Sequence, residues 1–219
     1  MRARSFPLSS VTDQPVDLNE FARGDGFLFV RDGIGFAGHG ISATTTAQNA
    51  RMVLEDVFHE TSDAPVGVGP LMFGSIPFNQ DSPSEFILPA VTLAKTAHGE
   101  TWVTVIDDAP LPPWHIGSPT PTHASFSVHE GVPVTTYLSA VDTARRAVQH
   151  GEITKAVIAR DVFVESNMPI DIHAVLLRLR ASFGSSYRFS FDGFIGASPE
   201  LLVAIDGDEI TSHPLAGTT

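Results

Sequence analysis

The chain contains no cysteine, only two lysines and no long apolar run. The lack of cysteine excludes disulfides, thiolate catalysis and cysteine-ligated metals. No apolar stretch approaches the ~20 residues that a bilayer-spanning helix needs. The two arginines near the N-terminus are followed by no apolar segment, so the start does not resemble a secretory signal. We therefore expect a protein of the cytoplasm that does not bind membranes.

Basic residues are also scarce, with 13 against 25 acidic residues and a formal net charge of −12. A nucleic-acid partner is not expected, because phosphate contacts need clustered Lys and Arg. The chain has 219 residues, of which 42% are apolar and 17% charged, so it can bury a core and be globular. A small-molecule ligand fits these numbers. An anionic one would need local positive charge from a metal or a few placed cations.

The patterns of apolar residues predict strands and helices in alternation, with the order of an α+β fold: antiparallel sheets with helices packed outside. Residues 107–134 are rich in proline and polar residues, and are predicted to be a surface connection. The predicted strands are 26–40 (a hairpin at Asp32-Gly33), 66–77, 85–94, 101–106, 153–164, 187–191, 194–197, 201–205 and 209–211. The predicted helices are 44–60, 135–150 and 170–183.

Lys155 stands out because the chain otherwise uses arginine, which cannot accept a proton near neutral pH. It opens an apolar run that predicts a strand covered on both faces. Two interpretations stay open for this side chain. Lys155 is either a strand-end lysine that reaches water, or a desolvated lysine whose pKa falls far enough for a general base. Lys95 has the ordinary setting of a sheet edge.

Glu200 follows Ser198-Pro199 and precedes an apolar run. Proline cannot donate to a strand ladder, so we expect a bend or bulge that redirects the Glu200 side chain. Glu200 is either a solvated turn carboxylate or, in a closed cavity, a proton donor with a raised pKa. Lysine as base and glutamate as acid would form a complementary pair.

The chain closes with a small-residue loop, Pro214–Thr218, whose backbone N–H groups could bind a carboxylate. A folded domain seldom ends in a binding loop, so we expect the front part of a longer enzyme. None of the nine histidines has metal-ligand spacing. His123 and His129, both in the proline-rich connection, are expected at the surface.

Three motifs in this order resemble the chorismate-utilising enzymes, and most closely the isochorismate synthases among them. The motifs are KAVIAR at 155–160, GASPELL at 196–202 and HPLAGT at 213–218, with GSIPFNQDSPSEFILP at 74–89 as a weaker match. Within that family, members that use water as nucleophile carry lysine at the position of Lys155. One branch carries a lysine where this chain has Ala216, so the combination favours addition of water.

The resemblance implies an isomerase that converts chorismate to isochorismate. Lys155 would deprotonate a water that attacks C2, and Glu200 would protonate the departing C4 hydroxyl. Ala216, Gly217 and Thr218 would line the ring pocket. The family also requires Mg²⁺, whose glutamate ligands lie on segments after the final loop, so we expect no metal ligand in this chain.

The resemblance further implies that residues 1–219 are the N-terminal portion of a single chorismate-binding domain, inactive alone and monomeric when full length. We expect an N-terminal sheet region (1–106), the connection (107–134) and a motif-bearing region (135–219). Salicylate synthase and a non-catalytic domain remain alternatives. The motifs do not distinguish menaquinone from siderophore biosynthesis.

Overall fold

The computed structural model describes residues 1–60, 63–79, 81–114 and 124–214. These residues form two compact units, a large unit (1–119 with 171–219) and a small unit (120–170). The α-helices of the described residues are Leu18–Ala22 (α1), Ala47–Glu55 (α2), Val134–Gln149 (α3) and Ile172–Ser182 (α4). The strands are Arg2–Pro7 (β1), Phe27–Arg31 (β2), Ile34–His39 (β3), Ala43–Thr45 (β4), Phe58–Glu60 (β5), Phe73–Ser75 (β6), Glu85–Leu88 (β7), Val91–Lys95 (β8), Thr101–Ile106 (β9), Phe126–Glu130 (β10), Val162–Ser166 (β11), Tyr187–Phe191 (β12), Phe194–Ser198 (β13), Leu201–Asp206 (β14) and Glu209–His213 (β15).

An eight-stranded sheet is the centre of the large unit, with the strand order β13-β12-β2-β3-β8-β9-β1-β5. All neighbouring pairs are antiparallel except β1 and β5, which are parallel. The hairpin of β2 and β3 turns at Asp32 (φ 52°) and Gly33 (φ 77°), a backbone conformation that Asp-Gly pairs favour in two-residue turns. The hairpin predicted at 26–40 and the α+β class are both confirmed.

The main core lies between this sheet and helices α1 and α4. Leu28 and Val30 alternate along β2 and point toward the helices, where Phe21 of α1 and Leu176 of α4 are also buried. On the opposite face, a three-stranded sheet of order β4-β7-β6 adds a second cluster around Phe73. Helices on one face of the central sheet and a small sheet on the other therefore bury most of the core of the large unit.

Several predicted elements are shorter in the structure, for identifiable reasons. The predicted helix 44–60 reduces to α2, with β4 before it and β5 after it. The predicted strand 66–77 keeps only β6, since Gly67 and Gly69 have positive φ and Pro70 has no N–H to donate. Pro89 divides 85–94 into β7 and β8, which belong to different sheets.

The small unit departs further from the prediction. The strand expected at 153–164 begins only at Val162, because its partner β10 is followed by Pro133 and the start of α3. A proline and a helix cannot extend the ladder past this point. Strand β10 itself lies inside the stretch predicted as irregular connection. The earlier part of that stretch belongs to the large unit, where Trp114 stacks on Phe21 with ring centroids 6.0 Å apart.

Helices α3 and α4 agree with their predicted positions to within about two residues. Strands β12 to β15 also lie where they were predicted. No helix among the described residues is long and apolar enough to cross a membrane.

Candidate active site

Lys155 lies on the irregular segment between α3 and β11. Helix α3 ends at Gln149, and Gly151 follows with φ 75°, a left-handed conformation that commonly ends a helix. The Lys155 side chain is exposed. A lysine needs to lose its hydration before its pKa falls toward neutrality. Within the described part of the small unit, Lys155 therefore has the setting of a solvated lysine.

A shallow groove runs between α3 and the segment that carries Lys155. Small side chains on one face of the helix form one wall, and apolar residues of the segment form the other. The lining residues are Thr135, Thr136, Ser139, Ala140, Thr143, Ala144, Ala147, Ile153, Ala156 and Ile158. Ile153 and Ala156, which lie on either side of Lys155 in the sequence, both line this groove.

The far end of the segment makes polar contacts with the last residue of β10 and with the chain that follows it. Arg160 donates from Nη1 to the carbonyl of Val132 at 3.4 Å and lies 3.9 Å from Glu130 Oε1. A Cβ at Gly131 would lie 2.3 Å from the carboxyl group of Asp161, so a larger residue there would require the exposed Asp161 side chain to move aside. These contacts anchor the segment five residues after Lys155.

Charged side chains of the small unit form pairs on its helix and between its strands. Asp142 contacts Arg145 at 2.6 Å and Arg146 at 3.1 Å, and the hydrogen bond from Arg145 is the main cause that lowers the pKa of Asp142. His129 is exposed, as predicted, and lies 3.3 Å from Glu165 on the neighbouring strand. His123 lies outside the described residues.

Glu200 lies in the turn between β13 and β14, directly after Ser198-Pro199. Its backbone N–H donates to Ser198 Oγ at 3.1 Å, which closes the turn. The register of β14 against β15 then shifts between Leu201 and Ala204. The predicted bend with an irregularity beside it is therefore present. The Glu200 side chain is exposed, the setting of a solvated carboxylate.

The predicted site residues do not come together within one unit. Lys155 belongs to the small unit and Glu200 to the large unit. Ala216, Gly217 and Thr218 lie outside the described residues. The roles of all five stay predictions.

A cleft of about 530 Å³ in the large unit was not predicted from the sequence. It opens over β2, β3 and β12 and is lined mainly by aromatic and aliphatic side chains. Phe29, Phe36, Phe73, Phe189 and Phe194 are among them. The feature of the sequence that could have indicated this cleft is the number of phenylalanines, 15 in the chain. Alternating phenylalanines predict a strand face, but not which faces meet around a cavity.

Comparison with known proteins tests the resemblance. Residues 115–219 match the family described as chorismate binding enzyme. The predicted resemblance to the chorismate-utilising enzymes is confirmed. The matched range begins before the small unit and includes both Lys155 and Glu200.

Individual chorismate-utilising relatives match over a longer range. The isochorismate synthase MenF of Bacillus subtilis is 29% identical over 180 residues, 69% of this chain and 38% of that protein. The vibriobactin-specific isochorismate synthase of Vibrio cholerae is 27% identical over 184 residues, 78% of this chain and 40% of that protein. The chain thus spans less than half the length of these curated relatives.

A solved structure supports the fold of the described residues. The menaquinone-specific isochorismate synthase MenF of Escherichia coli superimposes with a TM-score of 0.59 at 20% sequence identity. The superposition covers 92% of this chain and 50% of the Escherichia coli chain. The α+β architecture of the described residues is therefore the architecture of about half of that enzyme.

Proposed function

We propose that this protein is an isochorismate synthase, an isomerase that converts chorismate to isochorismate. The main support for this proposal is the similarity to isochorismate synthases over most of the chain. The motifs that contain Lys155 and Glu200 add to it. Residues 1–219 would be the N-terminal portion of its chorismate-binding domain. We expect the reaction to take place in the cytoplasm. We also expect the full-length enzyme to be a monomer.

The proposed chemistry divides the work between two side chains. Lys155 takes a proton from a water molecule as the water oxygen bonds to C2 of chorismate. The ring double bonds shift, the bond from C4 to its hydroxyl breaks, and Glu200 gives that hydroxyl a proton so that it leaves as water. One water enters and one leaves, so the product is an isomer. A positioned base or acid typically contributes about 10²–10⁴-fold to the rate.

Lys155 and Glu200 are both exposed, so the active enzyme must provide the burial that their proposed roles require. A lysine base has to be desolvated and a glutamate acid has to have a raised pKa, and each change needs burial. The described residues leave Lys155 and Glu200 exposed. We therefore propose that the 219 residues alone are inactive and that further protein covers both groups. Ala216, Gly217 and Thr218 would then line the ring pocket.

The described residues do not fit a magnesium ion. Among them, no three His, Asp or Glu side chains lie close enough to hold a metal. The Mg²⁺ that the family resemblance implies would have to use other ligands. The proposed steps therefore involve only Lys155 and Glu200.

The proposal is tested by incubating the full-length enzyme with chorismate and Mg²⁺ and separating the products by chromatography. We expect isochorismate, and a loss of about 10²-fold or more in kcat for Lys155→Ala and for Glu200→Gln. Two variants serve as matched controls and should both keep activity. Arg145→Gln removes an exposed cation of the small unit, and Glu209→Gln removes an exposed carboxylate of the large unit. Turnover that persists in Lys155→Ala would refute the mechanism.

Two alternatives are distinguished by the same assay. Pyruvate and salicylate as products would identify a salicylate synthase. A full-length protein that neither binds nor converts chorismate would be a non-catalytic domain. The exposure of every element in the small unit is the observation that favours this second alternative.

A further inference from the structure

A second cleft in the large unit, distinct from the phenylalanine-lined one, has a cationic lining. It measures about 310 Å³ and lies where α1, the hairpin turn of β2 and β3, the end of β8 and the end of α4 meet. Lys95, Arg180 and Arg188 line it, together with Asp17 and Asp32. The local balance is thus three cations against two carboxylates, in a chain of net charge −12.

Arg188 is the deepest of these cations, with 2% of its surface exposed. Its Nη1 donates to Asn19 Oδ1 at 3.1 Å, while its buried Nε has no hydrogen-bond partner among the described residues. Burial lowers the pKa of Arg188, and the charge of Asp17 opposes that change. A buried cation with a neutral amide as its hydrogen-bonded partner is costly unless an anion compensates it.

The two carboxylates of the cleft are paired with cations other than Arg188. Asp17 lies 2.9 Å from Arg180 Nη1 and accepts both the backbone N–H and the side-chain amide of Asn19 at 2.9 Å. Burial alone would raise the pKa of Asp17, but these hydrogen bonds and the Arg180 charge outweigh it and lower the pKa. Asp32 lies 3.6 Å from Arg31. Neither carboxylate is therefore an ion-pair partner of Arg188.

Lys95, at the end of β8, is the other cation of the cleft without a carboxylate partner in the described part of the chain. No ion pair or hydrogen bond of its side chain is found within the described ranges, and the side chain is only partly exposed. A guanidinium and an ammonium at one cavity form the donor set that recognises carboxylates and phosphates. The cleft has the volume of about ten water molecules in the liquid, enough for a small oxyanion.

We propose that this cleft binds a small oxyanion, a carboxylate or a phosphate, through Arg188 and Lys95. The residues predicted to act on chorismate do not line it, so the site is additional to the proposed reaction. The bound anion would neutralise the excess positive charge and tie α1, α4 and the central sheet together. It would therefore stabilise the large unit whether or not the protein turns over chorismate.

The test is calorimetric titration of the purified protein with inorganic phosphate and, separately, with succinate, at constant ionic strength. We expect saturable binding of at least one of them, and whichever binds identifies the anion class. Lys95→Gln should weaken the binding about 10-fold, the loss of one charge-assisted contact. Arg51→Gln, which removes an exposed cation on α2, should leave it unchanged.

Arg188→Gln could weaken the fold as well as the site, so a second measurement accompanies it. The Arg188 Nε–H signal in a nitrogen-correlated NMR spectrum should shift as phosphate or succinate is added to the unmodified protein. Absence of saturable binding would overturn the proposal and leave Arg188 a structural link between β12 and α1. Equal affinity in Lys95→Gln and the unmodified protein would also overturn it.

Discussion

Strands β8 and β11 have similar apolar sequences, VTLAK and VFVES, but opposite surroundings. In β8, Val91 to Ala94 are buried, because β3 and β9 flank the strand and protein layers cover both faces of the sheet. In β11, Val162, Phe163 and Val164 are 44%, 57% and 52% exposed, because β10 is its partner strand and no other described element packs closely on either face. The difference shows that an apolar strand is buried by its neighbours and not by its own composition.

The same contrast holds between the two units as wholes. Among the residues that the structure describes, the buried core residues lie in the large unit and none of the small unit is buried. The small unit nonetheless lies within the range that matches the chorismate-binding family. Exposed apolar surfaces of this extent mark interfaces. The small unit therefore lies within the family match although its own described elements bury none of its side chains.

The largest expected effect comes from truncating one apolar residue in each strand. Leu93→Ala in β8 should lower the free energy of unfolding by about 2–5 kcal/mol, because it leaves a cavity in a closed core. Val164→Ala in β11 should change it by no more than about 0.5 kcal/mol, as for other exposed sites. Urea denaturation followed by circular dichroism measures both. Equal losses would show that β11 is buried in solution.

A smaller effect is expected at the helix caps. Asp171 caps α4 by accepting the Ala174 N–H at 3.0 Å, whereas α3 follows Pro133 and has no side-chain cap. Asp171→Ala should cost about 1 kcal/mol, and Thr135→Ala in the first turn of α3 much less. Asp171→Asn should restore most of the loss, since asparagine also caps helices. A larger cost at Thr135 would contradict this contrast.

The smallest expected effect is a pH dependence confined to the large unit. Ser5 Oγ lies 2.7 Å from His59 Nε2, and burial lowers the pKa of His59. As the pH falls below about 6.5, His59 therefore binds protons more readily in the unfolded state than in the folded state. The stability that the neutral imidazole contributes is present above that pH and is lost as the pH falls further. Thermal unfolding between pH 7.5 and 5.5 should show this slope.

Two substitutions make the His59 measurement specific. His59→Gln should flatten the slope in this pH range, while His98→Gln, in the exposed turn between β8 and β9, should keep it. An unchanged slope in His59→Gln would assign the pH dependence to other groups.

Local features were predictable where a few neighbouring residues decide the conformation. Asp32-Gly33 specifies a tight turn because both residues tolerate positive φ, and Gly151 ends α3 for the same reason. The turn at Ser198-Pro199 was predictable because proline cannot donate to a strand ladder. The strand at 153–164 was not, because its length depends on Pro133, which lies at least 20 residues earlier in the chain.

The sequence by itself determined the class of the fold, its turns and helix ends, the absence of thiol chemistry and the family resemblance. These follow from the identity of residues close together in the chain. The tertiary structure decided which apolar strands are buried, that Arg188 is enclosed with an unpaired Nε, and that Lys155 and Glu200 are exposed in the described residues. Burial and charge compensation depend on residues distant in sequence, so no local pattern contains them.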